Sequence, residues 1–490
     1  MRPARPHPSS RLVSGGAYGV TVLNTLVIMS DEHQRRALGC AGHPVVLTPN
    51  LDSLAATGTR FTNCWTPSPI CVPARASFAT GRWVHEIATW DSVQAYAGTP
   101  RGWTHSLADA SHDVVSFGKL HHRSAADDDG FTQRVSPMFI VGGQGWLQGL
   151  PRRDPIPYDE ASELADQVGV GETAYTRYDA RTTKQAVDWL QQPDRADTAW
   201  AAFVSLVAPH YPLSAPEKFA AMYPASEVPP PEIGVVDHTH PAVAAMQRFF
   251  NYHDYFDRET EARARAAYFA LVTFLDDNVG KVLAALDASG QRENTRIIYT
   301  SDHGEMLGNR GLWCKSFMFE DSVAVPMIVS GPGVPVGRTV DANVNLIDVA
   351  STIEETVDAG TGGAGGPGES LWHRANHPDS DRVGFSEYHD GGSITGSFAI
   401  RSGEWKYVHH EGFPAEVYNL IDDPDELVDL AGTASIAKHE KGLARTLADI
   451  VDTTVANDAA FHSQAALIES HGGRAALANA FRFNHTPAPR

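Results

Sequence analysis

Apolar and β-branched residues along this chain fall in short runs that end abruptly in charged or imidazole side chains. Residues 25–30 run apolar up to Asp31, and residues 113–117 run up to Gly118, Lys119 and His121. Residues 200–207 lead to Pro209 and His210, and residues 296–301 lead to Asp302, His303 and Gly304. Runs of this kind predict strands covered on both faces. Between them the apolar spacing changes to three and four. Residues 182–190 show it, and residues 266–286 show it more clearly: Leu271, Leu275, Val279, Val282 and Leu286 share one stripe before Gly290 offers a stop. Strands alternating with helices predict an α/β fold with a large, mostly parallel central sheet sandwiched by helices. In such sheets the site lies beyond the carboxyl ends of the strands, so four strand ends would bring their polar residues together.

Further along, residues 326–334 predict another core strand closed by a turn. Residues 358–368 are glycine-rich and lack a lysine, which reads as a flexible connection and not as a phosphate-gripping loop. After that the texture changes. Residues 396–401, 404–409 and 415–420 predict short antiparallel strands, and helical segments follow from about Ser435. The division expected from these shifts is a disordered extension at 1–19, a large domain at 20–375, and a smaller C-terminal α+β domain at 376–490 with a short antiparallel sheet. Residues 209–261 match regular core structure poorly. They include the triple proline 229–231 and the aromatic stretch 251–256, and are expected to wrap the rim of a site.

With 490 residues and 42% hydrophobic content, the chain is long enough for a sizeable core. Against 39 basic residues stand 59 acidic ones, a net charge of -20 that argues against nucleic acid or an anionic membrane as partners. Any anionic substrate must then meet a local basic pocket. The four cysteines, Cys40, Cys64, Cys71 and Cys314, have neither the density nor the spacing of a disulfide scaffold or a zinc site, and a reducing cytoplasm is the expected location. Residues 20–29 are the N-terminal candidate for a signal-peptide core. They run straight into Ser30, Asp31 and Glu32 with no small-residue cleavage site, so a strand is the better reading.

The chemistry begins at Cys71-Val72-Pro73-Ala74-Arg75, followed by Thr80-Gly81-Arg82. A proline two residues after the cysteine suits a helix start, and an arginine four residues on returns to the cysteine's face. The helix dipole and the guanidinium both favour an anion there. Asp31, Glu32, Asp302 and His303 form an oxygen-rich set with one imidazole, suited to a hard divalent cation, with calcium expected first and magnesium or manganese as alternatives. Lys119 and His121, two apart at a strand end, are expected to point to one side of the sheet. With His210 and Lys315 they would supply positive charge and proton transfer. Trp83, Trp90, Asp91, Tyr96 and Trp313 are candidates to line a pocket for the organic part of a substrate. His238, His240 and His253 lie outside these motifs and are read as rim or structural residues.

The cysteine motif resembles the signature of type I sulfatases, members of the alkaline phosphatase superfamily, in which that cysteine is oxidised to formylglycine. Gly118-Lys119-Leu120-His121 and Pro209-His210-Tyr211-Pro212 match further elements of the family in order. The run from Ser301 to Lys315 resembles the metal loop and lysine segment of choline-sulfatase-like enzymes. Three positions depart from the commonest pattern: Glu32 in place of an aspartate, His303 in place of an asparagine, and Ala74 in place of a serine. The Asp-His form at 302–303 also occurs in related phosphonate monoester hydrolases.

The resemblance implies an alkaline-phosphatase-like fold and hydrolysis of a small-molecule sulfate ester. The hydrated aldehyde at position 71 would attack sulfur beside the cation, and Cys71 would thus join Asp31, Glu32, Asp302 and His303 at the metal. His210 or Lys315 would protonate the departing alcohol, Lys119, Lys315 and Arg75 would stabilise charge, and His121 would take the proton whose loss expels sulfate. It also implies a formylglycine-generating enzyme as a maturation partner and allows a homo-oligomer. Two rivals remain open: a phosphonate monoester or phosphodiester hydrolase with the same nucleophile, and a non-catalytic anion-binding protein of the same fold.

Overall fold

Each of the four apolar runs forms a strand, and their alternation divides one core into two. The computed structural model describes residues 23–489 apart from 194, 196–198, 357–365, 379–380, 481 and 483–484. The extension expected at 1–19 and most of the connection expected at 358–368 lie outside the described residues. Ten strands precede the C-terminal part: β1 (Asn24–Asp31), β2 (Gly58–Trp65), β3 (Asp113–Lys119), β4 (Gln133–Met138), β5 (Gly169–Val170), β6 (Trp200–Pro209), β7 (Ser214–Ala215), β8 (Thr295–Ser301), β9 (Ala324–Ser330) and β10 (Arg338–Asn345). Eight of them form a single sheet in the order β10-β2-β9-β8-β1-β6-β3-β4. Its pairings are parallel except at β9, which runs antiparallel to both β2 and β8.

Along β1, Leu26 and Ile28 enter one apolar cluster and Val27 and Met29 the other, which is why the run carries no polar alternation. On the first face lies the helix Arg258–Ala288, whose stripe of Leu271, Leu275, Val279, Val282 and Leu286 is fully engaged. Asp257 caps its start by accepting from the Thr260 N–H, and Gly290 takes a left-handed conformation just past its end. The helix Ala174–Leu190 begins earlier than its apolar spacing predicts because Thr173 caps the Thr176 N–H. On the second face sit Phe78, Leu107, Val349 and Ile353, from the helices Cys71–Thr80, Trp103–Asp109 and Asp348–Thr356.

The later antiparallel strands number four, one more than expected: β11 (Gly384–Tyr388), β12 (Ser397–Ser402), β13 (Trp405–His410) and β14 (Glu416–Asn419), in that spatial order. Phe385, Phe398, Ile400 and Val417 pack with Leu443, Leu447, Ala456 and Ala460 of two following helices. This sheet is tied directly to the large one. The Asn343 amide donates to the carbonyls of Arg382 and Arg401 at 2.9 and 3.0 Å, and the Asn345 side chain accepts from the Phe385 N–H at 3.1 Å.

The segment 209–261 is more regular than its composition suggests, since Pro241 opens a helix at Pro241–Phe250. No helix among the described residues is long and apolar enough to cross a membrane. What matters for chemistry is that β8, β1, β6 and β3 are adjacent and parallel. Their carboxyl ends therefore deliver Asp302, Asp31, His210 and Lys119 to one edge.

Candidate active site

Cys71 is the first residue of the helix Cys71–Thr80, entered from an extended Ile70 and left through Gly81 at φ 65°. Every residue of this helix is buried, so its free N–H groups and positive dipole end act in a low-dielectric setting. Cys71 Sγ lies 3.1 Å from His303 Nε2, 3.3 Å from Lys315 Nζ and 3.7 Å from Asp31 Oδ1. Burial, reinforced by Asp31, pushes the thiol up to about 12 despite Lys315 and Lys119. A thiol so held is protonated at neutral pH and is a weak nucleophile as it stands.

One turn along, Arg75 uses its whole fork. Nε donates to Asp302 Oδ2 at 2.7 Å, Nη1 to the Lys119 carbonyl at 2.8 Å and to Ser205 Oγ at 2.9 Å, and Nη2 to Asp31 Oδ2 at 3.3 Å. The ends of β8, β3 and β1 and the interior of β6 are thus joined to the helix through one guanidinium. Lys119 also forms a buried ion pair with Asp31. Burial by itself would raise the Asp31 carboxyl, but Lys119, His210, Arg75 and Lys315 outweigh it and hold it well below the usual carboxylate range.

The remaining site residues arrive on turns. β3 stops at Lys119, and His121 is placed by a left-handed residue at φ 54° and not by the pleat of a continuing strand, which corrects the expected strand-end geometry. Both His121 nitrogens are buried without a protein partner, and burial, with Lys119 and Arg75, holds its pKa well below the usual value. His210 turns Nδ1 to the Tyr211 carbonyl at 2.7 Å, leaving Nε2 3.5 Å from Glu32 Oε2. Lys315 is delivered by the loop after β8. Glu305 Oε1 accepts from the Leu307 and Cys314 N–H groups at 2.8 and 2.6 Å, and Met306 N–H donates to the Cys314 carbonyl at 2.7 Å. Although burial opposes its charge, Cys71, Glu32 and Asp31 hold the Lys315 ammonium well above its ordinary pKa.

Asp31, Cys71, Asp302 and His303 present four ligand atoms that all lie within 4.8 Å of one another. His303 Nδ1 faces the Gly304 carbonyl at 3.0 Å, which turns the Nε2 lone pair to the cluster. Two buried carboxylates with an imidazole fit a divalent cation. Glu32 stands beside this quartet, not within it. Its φ is 67°, its N–H donates to Asp302 Oδ1 at 3.2 Å, and its Oε2 lies 3.4 Å from Lys315 Nζ. Burial, followed by Glu305 and Asp31, pushes its carboxyl up to about 8 against the pull of Lys315 and His303. Together with Asp31 and His210 it forms a second group of closely spaced ligand atoms.

Above these residues opens a cleft with an empty volume of ≈ 850 Å³, its open mouth included. Cys71, Lys119, His121, His210 and Lys315 line its floor, and Trp146, Tyr158, Tyr175, Tyr211, Phe250 and Tyr252 its walls. The rim expectation for 251–256 holds at Tyr252. The wall candidates Trp83, Trp90, Asp91, Tyr96 and Trp313 do not line the cleft. Trp83 and Trp90 pack under the small sheet, Trp313 stacks on Phe256 at 4.5 Å, Tyr96 packs on the Cys71–Thr80 helix, and Asp91 caps its own turn at Val93 and Gln94. Ser205 was not foreseen because a serine inside a buried strand carries no signal of the arginine it meets. Neither was the reach of His485 and Thr486, from the far end of the chain, to the cleft mouth.

The family model described as Sulfatase matches residues 23–359, and the model described as N-sulphoglucosamine sulphohydrolase, C-terminal, matches residues 308–453. The chain is 30% identical over 425 residues to a choline-sulfatase of Rhizobium meliloti (strain 1021), covering 83% of this chain and 82% of the relative. It is 28% identical over 439 residues to arylsulfatase K of Danio rerio, covering 83% and 80%. Among solved structures, the phosphonate monoester hydrolase of Agrobacterium radiobacter superposes with a TM-score of 0.70 at 23% identity, covering 87% of this chain and 95% of that one. BT4656, solved with D-glucosamine-2-N,6-O-disulfate, superposes with a TM-score of 0.69 at 21% identity, covering 87% and 97%. At these identities the superpositions show the fold.

Removing Arg75 leaves two buried carboxylates without their common partner. Arg75→Ala is expected to lower stability by about 3–5 kcal/mol in urea denaturation of the chelator-treated protein, and Arg75→Lys by less, because charge survives and the fork does not. An Arg75→Ala midpoint equal to that of the parent would contradict the account.

Proposed function

The chain belongs to the sulfatase family and is a sulfuric ester hydrolase, and from that premise we propose that it works through formylglycine made from Cys71 beside a divalent cation held by Asp31, Asp302 and His303. The observation that carries this reading is the setting of Cys71. Its buried, protonated thiol is ill suited to act itself, yet it sits at a helix N-terminus within reach of an imidazole, an ammonium and a carboxylate. Formylglycine supplies, as its hydrate, two hydroxyls on one carbon, so that sulfate can be released without water attacking a sulfate ester. The cation, calcium in our reading, supplies Lewis-acid polarisation and a lowered hydroxyl pKa. Glu32 would support it from the edge of the cluster.

The chain's own groups divide the remaining work. Four of the five Arg75 N–H donors go to the protein and Arg75 is not among the residues that line the cleft, so it positions Asp31 and Asp302. Lys119 and Lys315 face the cleft floor and stabilise charge on the sulfuryl oxygens. Lys315, kept protonated, donates to the departing alcohol oxygen. His210, neutral and with Nδ1–H committed to the Tyr211 carbonyl, offers only a lone pair at Nε2 and orients the substrate. His121, neutral and with both nitrogens unpartnered, accepts the proton from the second hydroxyl. The aromatic walls favour a compact apolar or cationic alcohol over an extended polyanion.

His303 favours a second reading, phosphonate monoester hydrolysis, because the Asp-His pair replaces the commoner Asp-Asn form. Rates of the matured enzyme on matched aryl sulfate and aryl phosphonate monoesters separate the two, with sulfate expected to be preferred. A large phosphonate preference would overturn the sulfatase assignment, and inactivity of matured, metal-loaded protein on both would favour the anion-binding reading. The role given to Lys315 has its own signature. Lys315→Ala is expected to slow alkyl sulfates about 10²-fold or more beyond the loss it causes on esters of acidic phenols, which lose its charge stabilisation but whose oxygen leaves without a proton. Equal losses on both would remove Lys315 as the acid.

A further inference from the structure

Away from the cleft, His240, His410 and Glu416 place one ligand atom each within 4.8 Å of one another. They come from three elements: His240 immediately precedes the helix Pro241–Phe250, His410 ends β13, and Glu416 begins β14. Each is held from outside. His240 Nε2 meets the Pro414 carbonyl at 2.9 Å, His410 Nδ1 meets Ser397 Oγ at 2.8 Å, and Glu416 Oε1 accepts from the Tyr418 hydroxyl at 2.8 Å. These anchors leave His240 Nδ1, His410 Nε2 and Glu416 Oε2 facing inward. His240 Nδ1 is buried with no protein partner. Ser397 Oγ–H can donate to His410 Nδ1 or accept from it; in the tautomer whose Nδ1–H goes to Ser397, the Nε2 lone pair, 3.0 Å from Glu416 Oε2, is free to bind an ion in place of the hydrogen bond the two otherwise share. The two rings lie 4.4 Å apart at an interplanar angle of 34°.

We propose that His240, His410 and Glu416 form a second metal site, structural in role and suited to Zn²⁺. Two imidazoles and a carboxylate, each with its own outer partner, are a zinc ligand set with the orienting shell already built. A tetrahedral ion about 2 Å from each ligand needs ligand separations of about 3.3 Å, so only small side-chain rotations close the trio. A small, largely apolar cavity lined by Ser397, Val408 and Tyr418 among others adjoins His410 and Glu416. The ion would fasten the start of the Pro241–Phe250 helix to the small sheet. Since Phe250 and Tyr252 are cleft walls, it would set the rim of the site from a distance. This inference does not depend on which ester the enzyme cleaves.

The test is zinc content of the full chain after chelation, reloading with excess Zn²⁺ and gel filtration. In an Asp302→Asn background, which disables the catalytic cluster, one equivalent is expected to remain and to vanish with His240→Ala or Glu416→Gln. Ser397→Ala, which removes only an outer anchor, is expected to weaken binding about 10–100-fold. With Asp302 intact, wild type should exceed His240→Ala by one equivalent, so the result stands whether or not the background variant folds. Co²⁺ loaded in place of zinc should show visible absorption without a thiolate charge-transfer band, because no cysteine belongs to the trio. No retained zinc, zinc content indifferent to His240→Ala, or a thiolate band that His240→Ala leaves in place as the sole cobalt signal would overturn the proposal.

Discussion

A guanidinium buried among carboxylates is the constraint on which this structure turns. Arg75 is fully enclosed, and a charge so placed is tolerable only when it is paired and hydrogen-bonded. Four of its five donors are met by Asp302, Asp31, the Lys119 carbonyl and Ser205, which lie on or just past four neighbouring strands. The arginine therefore acts as a template. It fixes the helix that carries Cys71 relative to the strand edge that carries Asp31 and Asp302, and an error of register in any of the four strands would weaken the pairing of a buried charge.

Around that template the chain resolves a conflict in its own composition. A protein of net charge -20 has to admit a sulfate ester, and it does so by concentrating Arg75, Lys119 and Lys315 where Asp31, Glu32 and Asp302 converge. Three basic side chains meet three acidic ones, and burial raises the pKa of one of these, Glu32, to about 8, so the local balance favours an anionic ligand although the whole chain is acidic. Burial then sorts the protons. It raises the pKa values of Cys71 and Glu32 and lowers those of His121 and His210, while the acidic groups around Lys315 hold its ammonium charged against burial. An acid and a base of different kinds thus face one cleft in a single site.

Much of this was legible in the sequence because buried parallel strands write their pattern plainly. The runs before Asp31, Lys119, His210 and Asp302 have no polar alternation, and the residues that break them are the ones that meet. The start of the helix at Cys71 was legible from Pro73, and its arginine face from Arg75. Other parts were hidden for physical reasons. β2 and β10 mix polar with apolar positions: Thr59 donates to the Pro335 carbonyl before β10 and Asn63 to the Asp341 carbonyl within it, so neither reads as a core run. The direction of β9 is set by its return from the site loop and leaves no mark on its composition. The cleft walls come from Trp146, Tyr158, Tyr175, Phe250 and Tyr252, which are far apart in the chain and join only through the fold. Trp83, Trp90 and Trp313, close to the motifs in sequence, were drawn into packing instead.

The central claim is that Cys71 is a precursor and not the working nucleophile. Its most direct test is the mass of the tryptic peptide spanning residues 61–75 from chain co-produced with a formylglycine-generating enzyme. Cys64 lies in the same peptide as an internal control, and buried Cys64 sits apart from the site. The account predicts an aldehyde or its hydrate at position 71 with Cys64 untouched. An intact thiol at position 71, under conditions that mature a known sulfatase, would contradict it.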